Sequence, residues 1–334
     1  MTILGRRPFL QSVATWTGLA AATRASAAAE SPHPRSSAAL LSMFKPGVRY
    51  RMPAVFGPAP GPRQKGDGTQ WKPEETGTMN SHSITVRYLT QRAKLLALLP
   101  PGFSLRGDPV VSVSFSYFGN LYWLAGRGYG IVGVRFPVVY TGKTETITGT
   151  FCPVMWEGIP DAILTGREEL GFPKLFADIS QISYDAQQGT ASGNATWFGH
   201  KFVEIEARGL TEVPAPAAQS DGASLFLKYM PRTSVSGKEG ADIAYVTTSQ
   251  PVPGTAGSAS PINLSGVKNY KRWTTQSGSV LWRRATFEQL PTTYHVINGL
   301  ANLDVVSYLG AEMTQYSAPG ISVWANGMRA VEPA

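Results

Sequence analysis

A mostly β, α+β domain is the fold class the sequence predicts, and three observations predict it. Glycine and proline are abundant, 35 and 25 of 334 residues, which suits strands joined by turns better than a helix bundle. Runs of strict alternation recur. The clearest is Val110 to Phe118, with Val111, Val113, Phe115 and Tyr117 on one face and Ser112, Ser114 and Ser116 on the other. Only brief helical stretches interrupt the strands. Short strands at close spacing with such helices predict a barrel or a sandwich with appended helices. Hydrophobic residues make up 43% of the chain, enough for a sizeable core, and no stretch approaches the ~20 apolar residues of a spanning helix.

In chain order, residues 1–27 read as a twin-arginine signal peptide. Gly5-Arg6-Arg7-Pro8-Phe9-Leu10 is followed by an Ala-rich run from Ser12 to Ala22 and by Ala25-Ser26-Ala27, an A-x-A cleavage site. That predicts a periplasmic or secreted protein, with no stable membrane insertion after cleavage. Residues 28–45 read as a flexible tether, and 46–330 as one domain. The Gly- and Pro-rich stretch 57–77 is a long loop, and loops of that length inside a domain are often functional. Strands are predicted at His82–Tyr88, Val110–Phe118, Ile131–Tyr140 with a break at Pro137, Thr146–Met155, Ile179–Tyr184, a hairpin over Gly189–Ala207, Ser224–Met230, Asp242–Thr247, Ser279–Phe287 and Leu303–Tyr308. Short helices are predicted at Arg92–Leu99, before Pro100-Pro101, and at Asp161–Gly171.

The chain carries a formal charge of +8, but its basic residues are scattered. Such a field attracts small carboxylates; a nucleic-acid footprint needs clustered Lys and Arg on one face. Cys152 is the one cysteine, so no intramolecular disulfide forms, and its apolar surroundings predict a small buried hydrophobe. Three motifs fail on context. Gly128-x-Gly130-x-x-Gly133 is followed by a strand, where a dinucleotide site needs a helix. Ser265-Gly-Val-Lys268 has a glycine straight after the serine and lacks the further elements of penicillin-interacting enzymes. His33, His82, His200 and His295 have no metal-ligand spacing.

One constellation keeps its chemistry. Gly166-Arg167-Glu168-Glu169-Leu170-Gly171-Phe172-Pro173-Lys174 gathers two acids, an arginine and a lysine at a helix end that Gly171 and Pro173 close. Lys174 opens an apolar run, Leu175-Phe176-Ala177. A desolvated lysine loses its proton more easily, and a neutral amine adds to a ketone to form a Schiff base. The plain alternative is a lysine snorkelling over apolar neighbours, with Arg167 and Glu168 as a buried structural pair.

This segment resembles the signature of the acetoacetate decarboxylase family, G-R-E-x-x-x-(Y/F)-P-K-K, without a gap from Gly166 to Lys174. Tyr50-Arg51-Met52-Pro53, Phe56-Gly57-Pro58, Pro60 to Gln64, Gly199-His200-Lys201 and Leu227 to Arg232 resemble further elements of its longer branch, so the likeness spans roughly 45–315. The resemblance implies a closed antiparallel β-barrel with flanking short helices, an imine formed on Lys174, no metal or organic cofactor, and a homo-oligomer. Its departures are equally specific. Leu175 stands where the decarboxylases have a second lysine, Ile131 stands at one family glutamate, and the other falls near Ser114. Around Lys174, the substrate-binding candidates are Arg167, Glu168, Arg87, Arg135, Tyr129 and His200, with Arg87 or Arg135 expected to hold a carboxylate. The expected function is an exported lyase acting on a small keto acid, by decarboxylation or by aldol and dehydration chemistry. The alternative is an exported barrel that binds a hydrophobic carbonyl compound without turning it over.

Overall fold

The computed structural model describes residues 38–214, 222–235, 240–252, 266–320 and 328–332. The twin-arginine segment, His33, most of the tether and Ser265 lie outside them. The described residues before Gly47, 38–46, belong to a unit of their own, with one helical turn, α1 (Ala38–Leu41). The second unit, Gly47–Ala334, carries the fold.

Its strands are β1 (Thr78–Leu89), β2 (Phe103–Leu105), β3 (Val110–Leu121), β4 (Arg127–Thr141), β5 (Thr146–Glu157), β6 (Lys174–Phe176), β7 (Asp178–Ile179), β8 (Ser183–Asp185), β9 (Thr190–Trp197), β10 (His200–Arg208), β11 (Thr211–Val213), β12 (Ala223–Pro231), β13 (Ala241–Thr248), β14 (Lys268–Thr275), β15 (Ser277–Trp282), β16 (Ser307–Pro319) and β17 (Arg329–Val331). The short helices are α2 (Arg92–Leu96), α3 (Pro160–Leu164) and α4 (Tyr294–Ala301). Among the described residues a 12-stranded sheet runs β11-β14-β16-β1-β3-β4-β5-β12-β13-β17, with β2 beside β4 and β6 beside β5. A 5-stranded sheet runs β15-β10-β9-β7, with β8 beside β9.

The alternation in the sequence sets which face is buried. Ile84, Val86 and Tyr88 of β1, Val111, Val113 and Phe115 of β3, and Val132, Val134 and Phe136 of β4 form one wall of the main core. Ala191 and Ala195 of β9, Val203 and Ile205 of β10, and Val280 of β15 form the other. Trp156 joins the walls, its ring 5.4 Å from Phe202 and 6.0 Å from Trp282.

The mostly β class and the short helices stand, but the closed barrel does not. The large sheet runs from β11 to β17 and does not return on itself. The hairpin β9–β10 pairs with β15 instead of with the edges of the large sheet. A second sheet thus covers the apolar face that a barrel would cover by curling. Two pairings, β5 with β12 and β5 with β6, are parallel.

Other details shift. β4 runs through Pro137, where a strand break was predicted. Its ladder changes register between Val134 and Phe136, and the Pro137 carbonyl accepts from Arg106 N at 3.0 Å; a proline lacks only the donor. Gly128, Gly130 and Gly133 all lie within β4, so no helix follows the glycine pattern. A side chain at Gly130 would collide with Ile179. Cys152 is a free, buried thiol, and burial pushes its pKa up.

Candidate active site

The site forms where β5 and β6 run side by side beneath the helical turn between them. β5 ends in Met155-Trp156-Glu157, and its register sets Met155 beside Lys174 and Glu157 beside Phe176. The intervening chain folds as α3 and then a single π-helical turn, Thr165–Leu170. Such turns are rare and concentrate at functional sites. Gly171 ends it at φ +79°, and Phe172 N reaches back to Gly166 O at 3.0 Å, a pattern that closes helices when glycine follows the last turn.

Lys174 is 4% exposed and Glu157 1%. Lys174 Nζ lies 2.6 Å from Glu157 Oε1 and donates to Ala162 O at 2.9 Å. Its charge also sits 5.3 Å from the Phe172 ring centroid, within cation–π range. Gly166 makes this position available. A Cβ there would press into Lys174 Cδ and Cε and lie 2.6 Å from Nζ.

Burial disfavours both charges. It is the largest influence on Lys174, whose pKa is lowered, and on Glu157, whose pKa is raised. The ion pair opposes both shifts without reversing either. A proton can therefore pass from the ammonium to the carboxylate, leaving a neutral amine beside a carboxylic acid. The positive neighbour that Leu175 cannot supply has a substitute in Arg63, which also lowers the Lys174 pKa.

The amine lines a cavity of about 10 Å³ with Pro62, Trp123, Tyr129, Ala162, Thr165, Gly166 and Leu170. Such a volume holds about one water, so a keto acid enters only when the lining moves. The buried polar atoms without a hydrogen-bond partner among the described residues include Tyr129 Oη and Glu157 Oε2. Burial, with Glu157 adding to it, holds the Tyr129 phenol well above its ordinary pKa and keeps it a proton donor. Orphaned buried polar atoms call for a partner, and a carbonyl or carbinolamine oxygen in the cavity would be one.

Of the predicted residues, the structure brings Lys174 and Tyr129 together. Arg167 donates from Nη1 to the Lys174 carbonyl at 2.9 Å, tying down the backbone that carries the amine. Glu168 contributes its carbonyl, which accepts from Lys228 Nζ at 2.7 Å. The buried Arg167–Glu168 pair does not form. Glu169 is the paired acid, bound by Arg49, Arg51 and Arg63. Arg87 and Arg135 flank Ser112 in register on one sheet face, and Arg135 Nη1 donates to Ser114 Oγ at 3.3 Å. Neither lines the Lys174 cavity. His200 begins β10 on the 5-stranded sheet and does not line it either.

Sequence reasoning missed Glu157. It looked for the family acid at Ile131, and Ile131 is the residue that pairs with Glu157 across β4 and β5. The carboxylate arrives one strand over from the expected position. Its signal was legible: an acid that ends the run Phe151 to Trp156, just before Gly158-Ile159-Pro160.

The family model of acetoacetate decarboxylase (ADC) matches residues 58–258. No curated protein matches the chain. Among solved structures, the chain is similar to the enduracididine biosynthesis enzyme MppR complexed with the condensation product of pyruvate and imidazole 4-carboxaldehyde, at 15% identity and TM-score 0.55 over 80% of this chain and 93% of that one. It is also similar to acetoacetate decarboxylase from Legionella pneumophila, at 19% identity and TM-score 0.51 over 77% and 88%. An acetoacetate decarboxylase-like enzyme from Sphingomonas wittichii gives 15% and 0.51 over 72% and 88%. These likenesses describe a shared fold.

Proposed function

Because the chain belongs to the acetoacetate decarboxylase family, we propose that it is a Schiff-base-forming lyase acting on a small keto acid through Lys174. The observation that carries this reading is the buried Lys174–Glu157 pair, 2.6 Å apart, whose lysine lines a cavity. Glu157 takes the ammonium proton, and the neutral amine adds to the carbonyl carbon. Tyr129 or protonated Glu157 returns a proton to the carbinolamine oxygen, which leaves as water. The resulting iminium accepts the electron pair of a breaking carbon–carbon bond. Decarboxylation then releases carbon dioxide and leaves an enamine. There the enamine is protonated at carbon; in aldol chemistry the iminium instead loses a proton from the adjacent carbon, and that enamine attacks an aldehyde. Hydrolysis of the imine restores Lys174 in both cases. The reading includes export: the twin-arginine pattern directs the chain out of the cytoplasm, with cleavage after Ala27.

Borohydride trapping tests it. Incubation with pyruvate or acetoacetate, then reduction and peptide mapping, should place a stable adduct on Lys174. Lys174→Arg should give none while keeping its fold, because arginine stays charged. A folded wild-type protein that traps no small keto acid would sink the lyase and favour a binding protein on the same fold for an apolar carbonyl compound.

A further inference from the structure

Glu169, in the π-helical turn, meets three guanidiniums from the segment 49–63. Its Oε1 is 3.1 Å from Arg51 Nε, its Oε2 is 3.5 Å from Arg49 Nε, and Arg63 Nη2 donates to Oε2. Arg49 is 43% exposed and solvated. Arg51, Arg63 and Glu169 keep only 12%, 11% and 11% of their side-chain surface. Two largely buried cations, beside the solvated Arg49, therefore share one largely buried anion. Uncompensated buried charge is unfavourable, so the cluster has capacity for a second anion. Arg63 Nε is also buried without a partner among the described residues.

The cluster adjoins the reactive amine. Pro62, next to Arg63, lines the lysine's cavity, and so does Thr165, whose Oγ1 accepts from Arg51 Nη1 at 2.6 Å. Two guanidiniums converging at one edge of a cavity suit the planar, bidentate capture of a carboxylate.

We propose that Arg51 and Arg63 form a carboxylate subsite at the edge of the Lys174 cavity, filled by Glu169 in the free protein and taken over by the keto acid's own carboxylate on binding. This rests on the imine reading for the identity of the keto acid, but the anion site itself does not need an imine. The exchange has a second consequence. Glu169 ties segment 49–63 to the π-helical turn, so an anion that replaces it also frees a segment whose Pro62 lines a cavity too small for a keto acid.

Propionate has a carboxylate and no carbonyl, so its binding reports the subsite alone. Calorimetric titration of the full chain should show propionate binding that strengthens about 10-fold in Glu169→Gln, where the competing anion is gone, and disappears in Arg63→Gln. Arg63→Lys, which keeps the charge and loses the fork, should fall between. Trapping then links the subsite to the amine. Because Arg63 also lowers the Lys174 pKa, Arg63→Gln slows trapping of any carbonyl compound, but pyruvate trapping should fall about 10-fold further than trapping of the neutral methyl pyruvate. Propionate binding that ignores both Glu169→Gln and the Arg63 variants overturns the subsite, whatever happens at Lys174. Propionate binding as expected with no trapped imine keeps the subsite and removes the lyase. If Arg63→Gln does not fold, the Glu169→Gln and Arg63→Lys titrations decide alone, and no gain in the former overturns the proposal.

Discussion

A lysine that attacks a carbonyl carbon must first lose its proton, and at Lys174 two influences favour that loss. Burial lowers its pKa, and the positive charge of Arg63 acts in the same direction; Glu157 pulls the other way. The trapping rate should therefore rise with pH as the amine deprotonates, with a midpoint below the ordinary lysine value of 10.5. Glu157→Gln removes the main influence holding the proton on, so the midpoint should move to still lower pH. The same change removes the proton acceptor, and turnover should fall by ~10²–10⁴. A pH profile of trapping beside one of turnover separates the two effects. A midpoint that stays in place would mean that Lys174 and Glu157 do not share a proton. Glu157 also shows the limit of reading by position: its chemistry was expected at Ile131, its neighbour in the sheet.

At the scale of the element, the π-helical turn does what an ordinary helical turn would not. It sets Gly166 against the Lys174 side chain, Glu169 among the arginines, and Gly171 against Lys228. The sequence predicted one helix over this stretch, and the span holds; the winding differs. Gly166→Ala should force the Lys174 side chain off its place. Such overpacking costs about 1–3 kcal/mol, a few degrees in melting temperature, and the trapped adduct should be lost. Thermal melting run beside trapping checks this, and an unchanged adduct yield would show that the lysine has another productive position. The motif's first glycine therefore has a steric reason, which sequence spacing alone does not reveal.

At the scale of the molecule, the described residues form an open 12-stranded sheet and a 5-stranded sheet that enclose the main core, and the site lies where β5 and β6 run parallel. No helix among the described residues is long and apolar enough to cross a membrane. The export reading predicts a mature chain beginning at Ala28, and the intact mass of the protein recovered outside the cytoplasm measures it. A mass that retains residues 1–27, in a protein confined to the cytoplasm, would overturn export.

Local sequence carries the mostly β class, the buried face of β3 and the failure of the glycine-rich motif, and it singles out Lys174 as the candidate nucleophile. These follow from local rules: alternation fixes a strand's face, and an ungapped motif fixes a residue. Tertiary structure alone decided that the sheet stays open, that Glu157 rather than a residue of β4 meets the lysine, and that Glu169 rather than Glu168 is bound by arginines contributed from more than 100 positions away. Each depends on which strand pairs with which, and on desolvation that many distant residues create together. Neither strand pairing nor desolvation is a property of any short stretch of chain.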